Sequence, residues 1–187
     1  MFRLLLSRPL SEPEIDAWTT LSENEQASGF EPARRSEWLS WRGIVRRELG
    51  APQLRFAYSD CGAPSIEGSA LHLSVSHCEG TIAVALSEAP CAVDVEPLAR
   101  DFGRAAARYL SAGERILSGD PLWPAVVWCA KETLYKFAGR RGVDWLRDLR
   151  IEQVDFPAGR LVGRIGSGKA LTLRFLLFAG RVVVFLS

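Results

Sequence analysis

Ala92-Val-Asp-Val-Glu96 is the stretch that decides the predicted fold. Its residues alternate between apolar and acidic, and a period of two is typical of a β-strand with one buried face. We therefore expect Val93 and Val95 to face a core. Asp94 and Glu96 are then expected to project together from the opposite face. The stretch predicts a short strand near the middle of the chain that carries two carboxylates on one side.

This pair of carboxylates allows two interpretations. A rise of about 3.3 Å per residue separates Asp94 and Glu96 by about 7 Å, so they repel each other unless a positive charge lies between them. A divalent cation provides that charge, and carboxylate oxygens suit Mg²⁺, which keeps waters and substrate phosphates as its other ligands. The alternative is a pair of solvated acidic residues on an exposed edge strand.

A second stretch, Trp128-Cys-Ala-Lys-Glu-Thr-Leu-Tyr-Lys136, lies in the strongest predicted helix, which covers about 122–138. Lysine occurs only at positions 131, 136 and 169 among the 23 Lys and Arg residues, so two of the three lysines lie here. Lysine offers a compact charge whose pKa can shift, which arginine does not. Glu132 and Lys136 are neighbours at i and i+4. They form either a surface ion pair or a site in which Glu132 completes the metal ligands and Lys136 reaches a phosphate.

The remaining pattern predicts a mixed α and β chain. The order strand, helices, strands occurs twice, which makes two similar halves that meet near residue 90 plausible. Capping boxes at Ser11-Glu-Pro-Glu14 and Ser22-Glu-Asn-Glu25 each predict the start of a helix. The other predicted helices cover 32–49, 101–109 and 111–117, and the other predicted strands cover 2–6, 54–58, 71–75, 82–86, 149–155, 160–165, 170–178 and 181–186.

Composition argues against several classes of protein. The 187 residues are 48% hydrophobic and carry a net charge of +1, which argues against disorder and against a surface that wraps nucleic acid. No apolar run approaches the roughly 18 residues that span a bilayer, and the N-terminus is too short and too charged for a signal peptide. The four cysteines contain no CxxC pair, so neither zinc knuckles nor a disulfide framework is expected. We expect a cytoplasmic protein that binds neither nucleic acid nor membrane.

Three further features each allow a functional and a structural interpretation. His77 ends a predicted strand, where it either donates to a phosphate or closes a turn. Arg34 and Arg35 lie near the start of a helix and form either a solvated basic face or an anion site. Gly163-Arg-Ile-Gly-Ser-Gly-Lys-Ala170 imitates a phosphate-binding loop, but Ala170 replaces the required Ser or Thr and a strand follows. We therefore interpret this last stretch as a glycine-rich hairpin turn.

Five motifs occur in a characteristic order along the chain. They are Gly62-Ala-Pro64, Leu73-Ser-Val-Ser-His77, Ala92-Val-Asp-Val-Glu96, Tyr109-Leu-Ser-Ala-Gly-Glu114 and Trp128-Cys-Ala-Lys-Glu-Thr-Leu-Tyr-Lys136. Together they resemble the motifs of the 4′-phosphopantetheinyl transferases of the surfactin-synthetase-activating type, and the resemblance spans nearly the whole chain. One departure is Ala63, which stands where the family commonly has a lysine.

The resemblance implies an α+β fold in which two similar halves form an intramolecular pseudo-dimer with coenzyme A in the cleft between them. Residues 1–90 would form the nucleotide side, and residues 91–187 would carry the metal and the catalytic helix. The implied metal ligands for Mg²⁺ are Asp94, Glu96 and Glu132. The implied catalytic residues are Glu132 and Lys136, and the implied contacts to coenzyme A are Arg34, Arg35, Gly62, Ala63, Pro64, Ser76, His77, Lys131 and Lys136.

The implied activity is transfer of the 4′-phosphopantetheine arm of coenzyme A to a serine of an apo acyl, peptidyl or aryl carrier protein, with release of 3′,5′-ADP. A monomer is expected, because two halves in one chain make an oligomer unnecessary. Two alternatives stay open. One is a module that binds coenzyme A or carrier protein without turnover, and the other is an unrelated Mg²⁺-dependent phosphohydrolase, which explains the carboxylates but not the ordered motifs.

Overall fold

The computed structural model describes all residues, 1–187. Its mixture of helices and sheets confirms the predicted α+β class, whereas the boundary near residue 90 and the similarity of the two halves stay predictions. The first half contains β1 (Phe2–Ser7), α1 (Glu12–Trp18), α2 (Leu21–Ala27), α3 (Pro32–Leu49), β2 (Phe56–Tyr58), β3 (Pro64–Ile66), β4 (His72–Cys78) and β5 (Thr81–Ser87). The second half contains β6 (Ala92–Pro97), α4 (Ala106–Tyr109), α5 (Ala112–Arg115), α6 (Trp123–Ala138), β7 (Leu149–Asp155), β8 (Arg160–Ile165), β9 (Leu171–Phe178) and β10 (Arg181–Leu186).

The strands form two main antiparallel sheets, one from each half. The first has the order β1-β5-β4, and the second has the order β6-β10-β9-β8-β7. Strands β2 and β3 form a small separate ribbon. Helix α3 packs on β5 in the first half, and α6 packs across β6 and β10 in the second. No helix is both long enough and apolar enough to cross a membrane.

Two serines of β4 join the first sheet to the edge of the second. The Ser74 Oγ accepts a hydrogen bond from the Val93 backbone N–H at 3.1 Å, and the Ser76 Oγ accepts one from that of Val95 at 3.3 Å. Residues i and i+2 of a strand share a face, so the two hydroxyls satisfy alternate N–H groups of β6. The two halves are therefore joined along β4 and β6.

The acidic face of β6 is covered by α6. Val93 and Val95 pack in a small core between the sheets, as expected. Asp94, on the opposite face, is only 4% exposed, so the alternative of a solvated acidic pair does not hold for it. A carboxylate at such a position needs a charged or hydrogen-bonding partner.

Several local predictions also needed correction. Helix α2 is capped by a box formed by Thr20 and Glu23, which lies two residues before the predicted one. The helices expected at 101–109 and 111–117 shorten to single turns, and β3 was not predicted. Strand β4 continues through His77. The glycine-rich stretch that imitates a phosphate-binding loop is the β8–β9 hairpin connection, as predicted.

Candidate active site

A cleft of about 260 Å³ lies between residues of the two halves. One wall is the loop that contains Gly62, Ala63 and Pro64, together with part of β4. Helix α6 forms the facing wall and places Glu132 and Lys136 in the cleft. Tyr135 of α6 also lines the cleft, as do Gly139 and Arg140, which directly follow the helix.

The Gly62 loop is held in shape by its own hydrogen bonds. The Gly62 N–H donates to the Ser59 backbone oxygen at 2.8 Å, and the Ala63 N–H donates to the Ser59 Oγ at 3.1 Å. Gly62 has a φ of +84°, a conformation that side chains with a Cβ rarely adopt. Arg141 ties this loop to the end of α6 by donating to the Asp60 backbone oxygen at 2.7 Å. The turn therefore depends on glycine at position 62.

Asp94 is held from both halves of the chain. Its Oδ1 accepts a hydrogen bond from the Ser76 hydroxyl at 2.7 Å and one from the Lys136 ammonium at 2.8 Å. Its Oδ2 is buried and has no hydrogen-bond partner of normal geometry. The Cys129 thiol, a weak donor, lies close enough to interact with this carboxylate. A buried carboxylate oxygen without a strong partner is costly.

Glu96 has a different pair of partners. The Trp128 indole Nε1–H donates to Glu96 Oε1 at 2.6 Å. The Arg100 Nη1 lies 3.0 Å from each carboxylate oxygen of Glu96. The Arg100 guanidinium also lies over the Trp128 ring, 5.0 Å from its centroid. Trp128 and Arg100 therefore hold Glu96 from two directions.

Glu132 makes no ion pair, so the alternative of a surface ion pair with Lys136 does not hold. The Lys136 ammonium instead donates to Asp94 and to the backbone oxygens of Val75 and Val93, at 3.3 and 3.1 Å. Burial raises the pKa of the Glu132 carboxyl to about 7, and the nearby charge of Asp94 contributes to the same shift. The charge of Glu96 acts in the same direction. Three carboxylates from β6 and α6 therefore lie close enough to affect one another's charge.

The chemistry of these carboxylates fits a divalent cation. Asp94 has an oxygen without a strong partner, and the charged form of Glu132 is destabilised by burial and by its acidic neighbours. A hard cation with oxygen ligands would relieve both costs. No group of three or more His, Cys, Asp or Glu side chains has the geometry to hold a metal ion as it stands. Lys136 and Arg100 instead neutralise Asp94 and Glu96.

Replacing Glu132 with glutamine is expected to stabilise the metal-free protein above about pH 5. The folded wild type keeps the Glu132 proton up to a pKa of about 7, whereas the unfolded chain releases it near 4.5. Wild-type stability therefore falls as pH rises through this window, and glutamine removes that loss. The gain should be on the order of 1–2 kcal/mol at pH 8, allowing for partial solvent screening.

Urea unfolding at pH 4.5 and pH 8, without divalent cations, measures this effect. Glu25→Gln is the control, because Glu25 is exposed and forms no ion pair. A stability difference between Glu132→Gln and wild type that is the same at both pH values would contradict the raised pKa.

Lys131 does not face the cleft, in contrast to the contact with coenzyme A that the resemblance implied. Its side chain is completely buried, and its ammonium lies 2.9 Å from the Glu114 carboxylate. The same nitrogen donates to the backbone oxygens of Tyr109 and Trp145, at 2.6 and 2.8 Å. All three of its N–H donors are therefore used inside the protein. The structure gives Lys131 a role in holding α6 against its neighbours.

The remaining predicted contacts lie on both sides of β4. Ser76 faces β6 and supports Asp94, whereas His77 faces α3, where its Nδ1 lies 3.0 Å from a carboxylate oxygen of Glu37. Ser76 and His77 therefore do not line one common surface.

Arg34 and Arg35 of α3, which were predicted to contact coenzyme A, point in different directions. Arg35 donates to Glu12 at 2.9 Å and to the side-chain oxygen of Asn24 at 3.2 Å, so it is turned toward α1 and α2. Arg34 is exposed, and its guanidinium lies over the Phe30 ring. The sequence alone does not fix which side of α3 these arginines occupy.

Sequence reasoning missed several residues of the site. Trp128 lies four residues before Glu132 on α6, but its hydrogen bond to Glu96 was not predicted. Arg100 was not considered, although it lies four residues after Glu96 in a short acidic and basic stretch. Arg140, which follows the C-terminal end of α6 and lines the cleft, belongs to none of the five motifs.

Comparison with protein families supports this interpretation of the site. A family model described as the 4′-phosphopantetheinyl transferase superfamily matches residues 90–181, a little under half of the chain. The match includes β6 and α6, the two elements that carry the three carboxylates. No curated protein matches the chain. The match over residues 90–181 supports a transferase of the 4′-phosphopantetheinyl transferase superfamily.

Proposed function

We propose that this protein transfers the 4′-phosphopantetheine arm of coenzyme A to a serine of an apo carrier protein and releases 3′,5′-ADP, as a transferase of the surfactin-synthetase-activating type. The observation that carries the proposal is that Glu132 and Lys136 line a cleft between the two halves. Asp94, which contacts Lys136, and Glu96 lie close enough to Glu132 to raise its pKa. We also propose that it acts as a monomer in the cytoplasm on acyl, peptidyl or aryl carrier proteins.

Each charged group of the site has a role that fits this reaction. Asp94, Glu96 and Glu132 would hold Mg²⁺, which when bound supplies positive charge to a pyrophosphate. Glu132 lines the cleft and has no ion-pair partner, so its carboxylate is suited to accept the proton of the attacking serine, directly or through a water. Lys136 lines the cleft and provides the cation nearest to the carboxylates for the departing phosphate.

The Gly62 loop completes the site from the other half. Gly62, Ala63 and Pro64 bring backbone and small side chains to the cleft wall. Ala63 contributes no charge there, so the cations available to coenzyme A in this cleft are Lys136 and Arg140. This arrangement supports binding of a negatively charged ligand between the halves.

Mass spectrometry of the carrier protein tests the proposal. The purified protein is incubated with coenzyme A, Mg²⁺ and a panel of apo carrier proteins. We expect one carrier to gain the mass of one phosphopantetheine arm while an equal amount of 3′,5′-ADP is released. Binding of coenzyme A without any mass gain would favour the module without turnover. Cleavage of coenzyme A with no transfer would favour a phosphohydrolase.

His77→Ala is expected to weaken binding of coenzyme A about tenfold, with a smaller effect on dephospho-coenzyme A. A charge-assisted hydrogen bond to the 3′-phosphate of the nucleotide, which would replace the contact of His77 with Glu37, would account for a loss of this size. Calorimetric titration with both ligands measures it. His72→Ala is the control, because His72 lies on the same strand and is the only other histidine. Equal losses for the two ligands would remove His77 from the 3′-phosphate.

A further inference from the structure

Glu96 is held by one fixed partner and one mobile partner. Its side chain is 14% exposed, whereas that of Arg100 is 45% exposed. Trp128 is fixed by stacking on Trp145, with the ring centroids 5.1 Å apart, and by an edge contact with Tyr109. The Arg100 guanidinium makes no hydrogen bond other than those to Glu96. Arg100 can therefore leave the carboxylate for solvent, and Trp128 cannot.

Lys136 differs from Arg100 in this respect. It donates to the backbone oxygens of Val75 and Val93 as well as to Asp94, so it is tied to both halves of the chain. Loss of the contact to Asp94 would leave its other two bonds in place. Of the two cations beside the carboxylates, only Arg100 has no side-chain hydrogen bond other than those to its carboxylate partner.

Charge balance gives the two states of the cluster. With Asp94, Glu96 and Glu132 ionised and Lys136 in place, the cluster carries two negative charges, which a divalent cation neutralises. If Arg100 remained when the divalent cation bound, the cluster would carry an excess of one positive charge. The repulsion between the bound cation and the Arg100 guanidinium is unfavourable where burial reduces screening.

We propose that Arg100 is the exchangeable counter-ion of Glu96, a positioning residue that holds the carboxylate in the absence of a metal ion and leaves it when a divalent cation binds. This inference rests on the metal site of the proposed function. Trp128 keeps its hydrogen bond to Glu96 in both states and fixes the direction of the carboxylate. The Arg100 side chain, once released, is a free cation beside the bound metal.

Binding of Mn²⁺ to the full-length protein, without coenzyme A or carrier, tests the inference. Electron paramagnetic resonance measures free Mn²⁺ directly and does not depend on turnover. Arg100→Gln should bind Mn²⁺ about tenfold more tightly than wild type, because the competing charge is gone. Arg100→Lys restores a mobile charge and should return the affinity close to that of wild type.

Arg104→Gln is the matched control. Arg104 lies on the same loop, is 91% exposed and pairs with Asp101 rather than with Glu96. It should bind Mn²⁺ as wild type does. An Arg100→Gln variant with unchanged or weaker affinity would overturn the inference, as would a lack of Mn²⁺ binding in every variant. Tighter Mn²⁺ binding by Arg100→Gln without phosphopantetheine transfer by the wild type would sustain the inference while the proposed function fails.

Discussion

Replacing Asp94 with asparagine is expected to lower the rate of phosphopantetheine transfer about a thousandfold, because it removes a charged ligand from the proposed metal site. The amide keeps the shape of the side chain, and its oxygen can still accept from Ser76 and Lys136. The loss of one negative charge also relieves repulsion with Glu132, whose pKa is raised in part by Asp94. The free energy of unfolding should therefore change by no more than about 2 kcal/mol.

Transfer rates at saturating coenzyme A and Mg²⁺, together with urea unfolding, separate the effect on chemistry from the effect on fold. Asp101→Asn is the control, because Asp101 is an exposed carboxylate that pairs with Arg104 on the loop that follows β6. It should transfer at the wild-type rate. A folded Asp94→Asn variant that retains even a tenth of wild-type transfer would rule out the metal site as described.

The elements that carry this site could be predicted because their patterns are local. The alternation in Ala92–Glu96 identifies β6, and the helix predicted at about 122–138 agrees with α6 to within one residue. Val126, Ala130 and Leu134 recur at helical spacing, and all three are completely buried. These outcomes depend only on the period of the chain and on its own side chains.

The burial of Asp94 could not be predicted in the same way. It depends on which element covers the second face of β6, and α6 lies about thirty residues further along the chain. Ser74 and Ser76 join β4 to β6 through side chains instead of a backbone ladder, and no periodic signal predicts such a contact. Long-range packing also decides that Lys136 pairs with Asp94 and not with its helical neighbour Glu132.

Resemblance to a family assigned roles to more residues than the sequence pattern did, but not every assignment agrees with the structure. Helix spacing had already singled out Glu132 and Lys136, and the resemblance gave them roles; both line the cleft. The resemblance also assigned Lys131 to coenzyme A, and the structure buries that side chain away from the cleft. Adjacent residues of a helix point about 100° apart, so a motif read as one unit contains residues that face different surroundings.

Lys131→Met is expected to destabilise the protein by about 3–5 kcal/mol, because it leaves the buried carboxylate of Glu114 without its counter-charge. Glu114 would keep hydrogen bonds from the backbone N–H groups of Ser111 and Ile151, each at 2.8 Å, but these do not neutralise it. The backbone oxygens of Tyr109 and Trp145 would also lose their donor. Urea unfolding measures the loss, and Lys169→Met is the control because Lys169 is an exposed lysine without an ion pair.

A double variant distinguishes a structural lysine from one that binds ligand. Adding Glu114→Gln to Lys131→Met removes the uncompensated charge and should recover part of the lost stability. At a temperature where the double variant is folded, it should bind coenzyme A as the wild type does. A lysine that contacts the pyrophosphate would behave in the opposite way. Its loss would weaken coenzyme A in the single and the double variant alike, and the single variant would remain as stable as Lys169→Met. That result would mean that Lys131 contacts coenzyme A. Such a contact would require α6 to rotate by about 100° about its axis, so that residue 131 points in the present direction of residue 132.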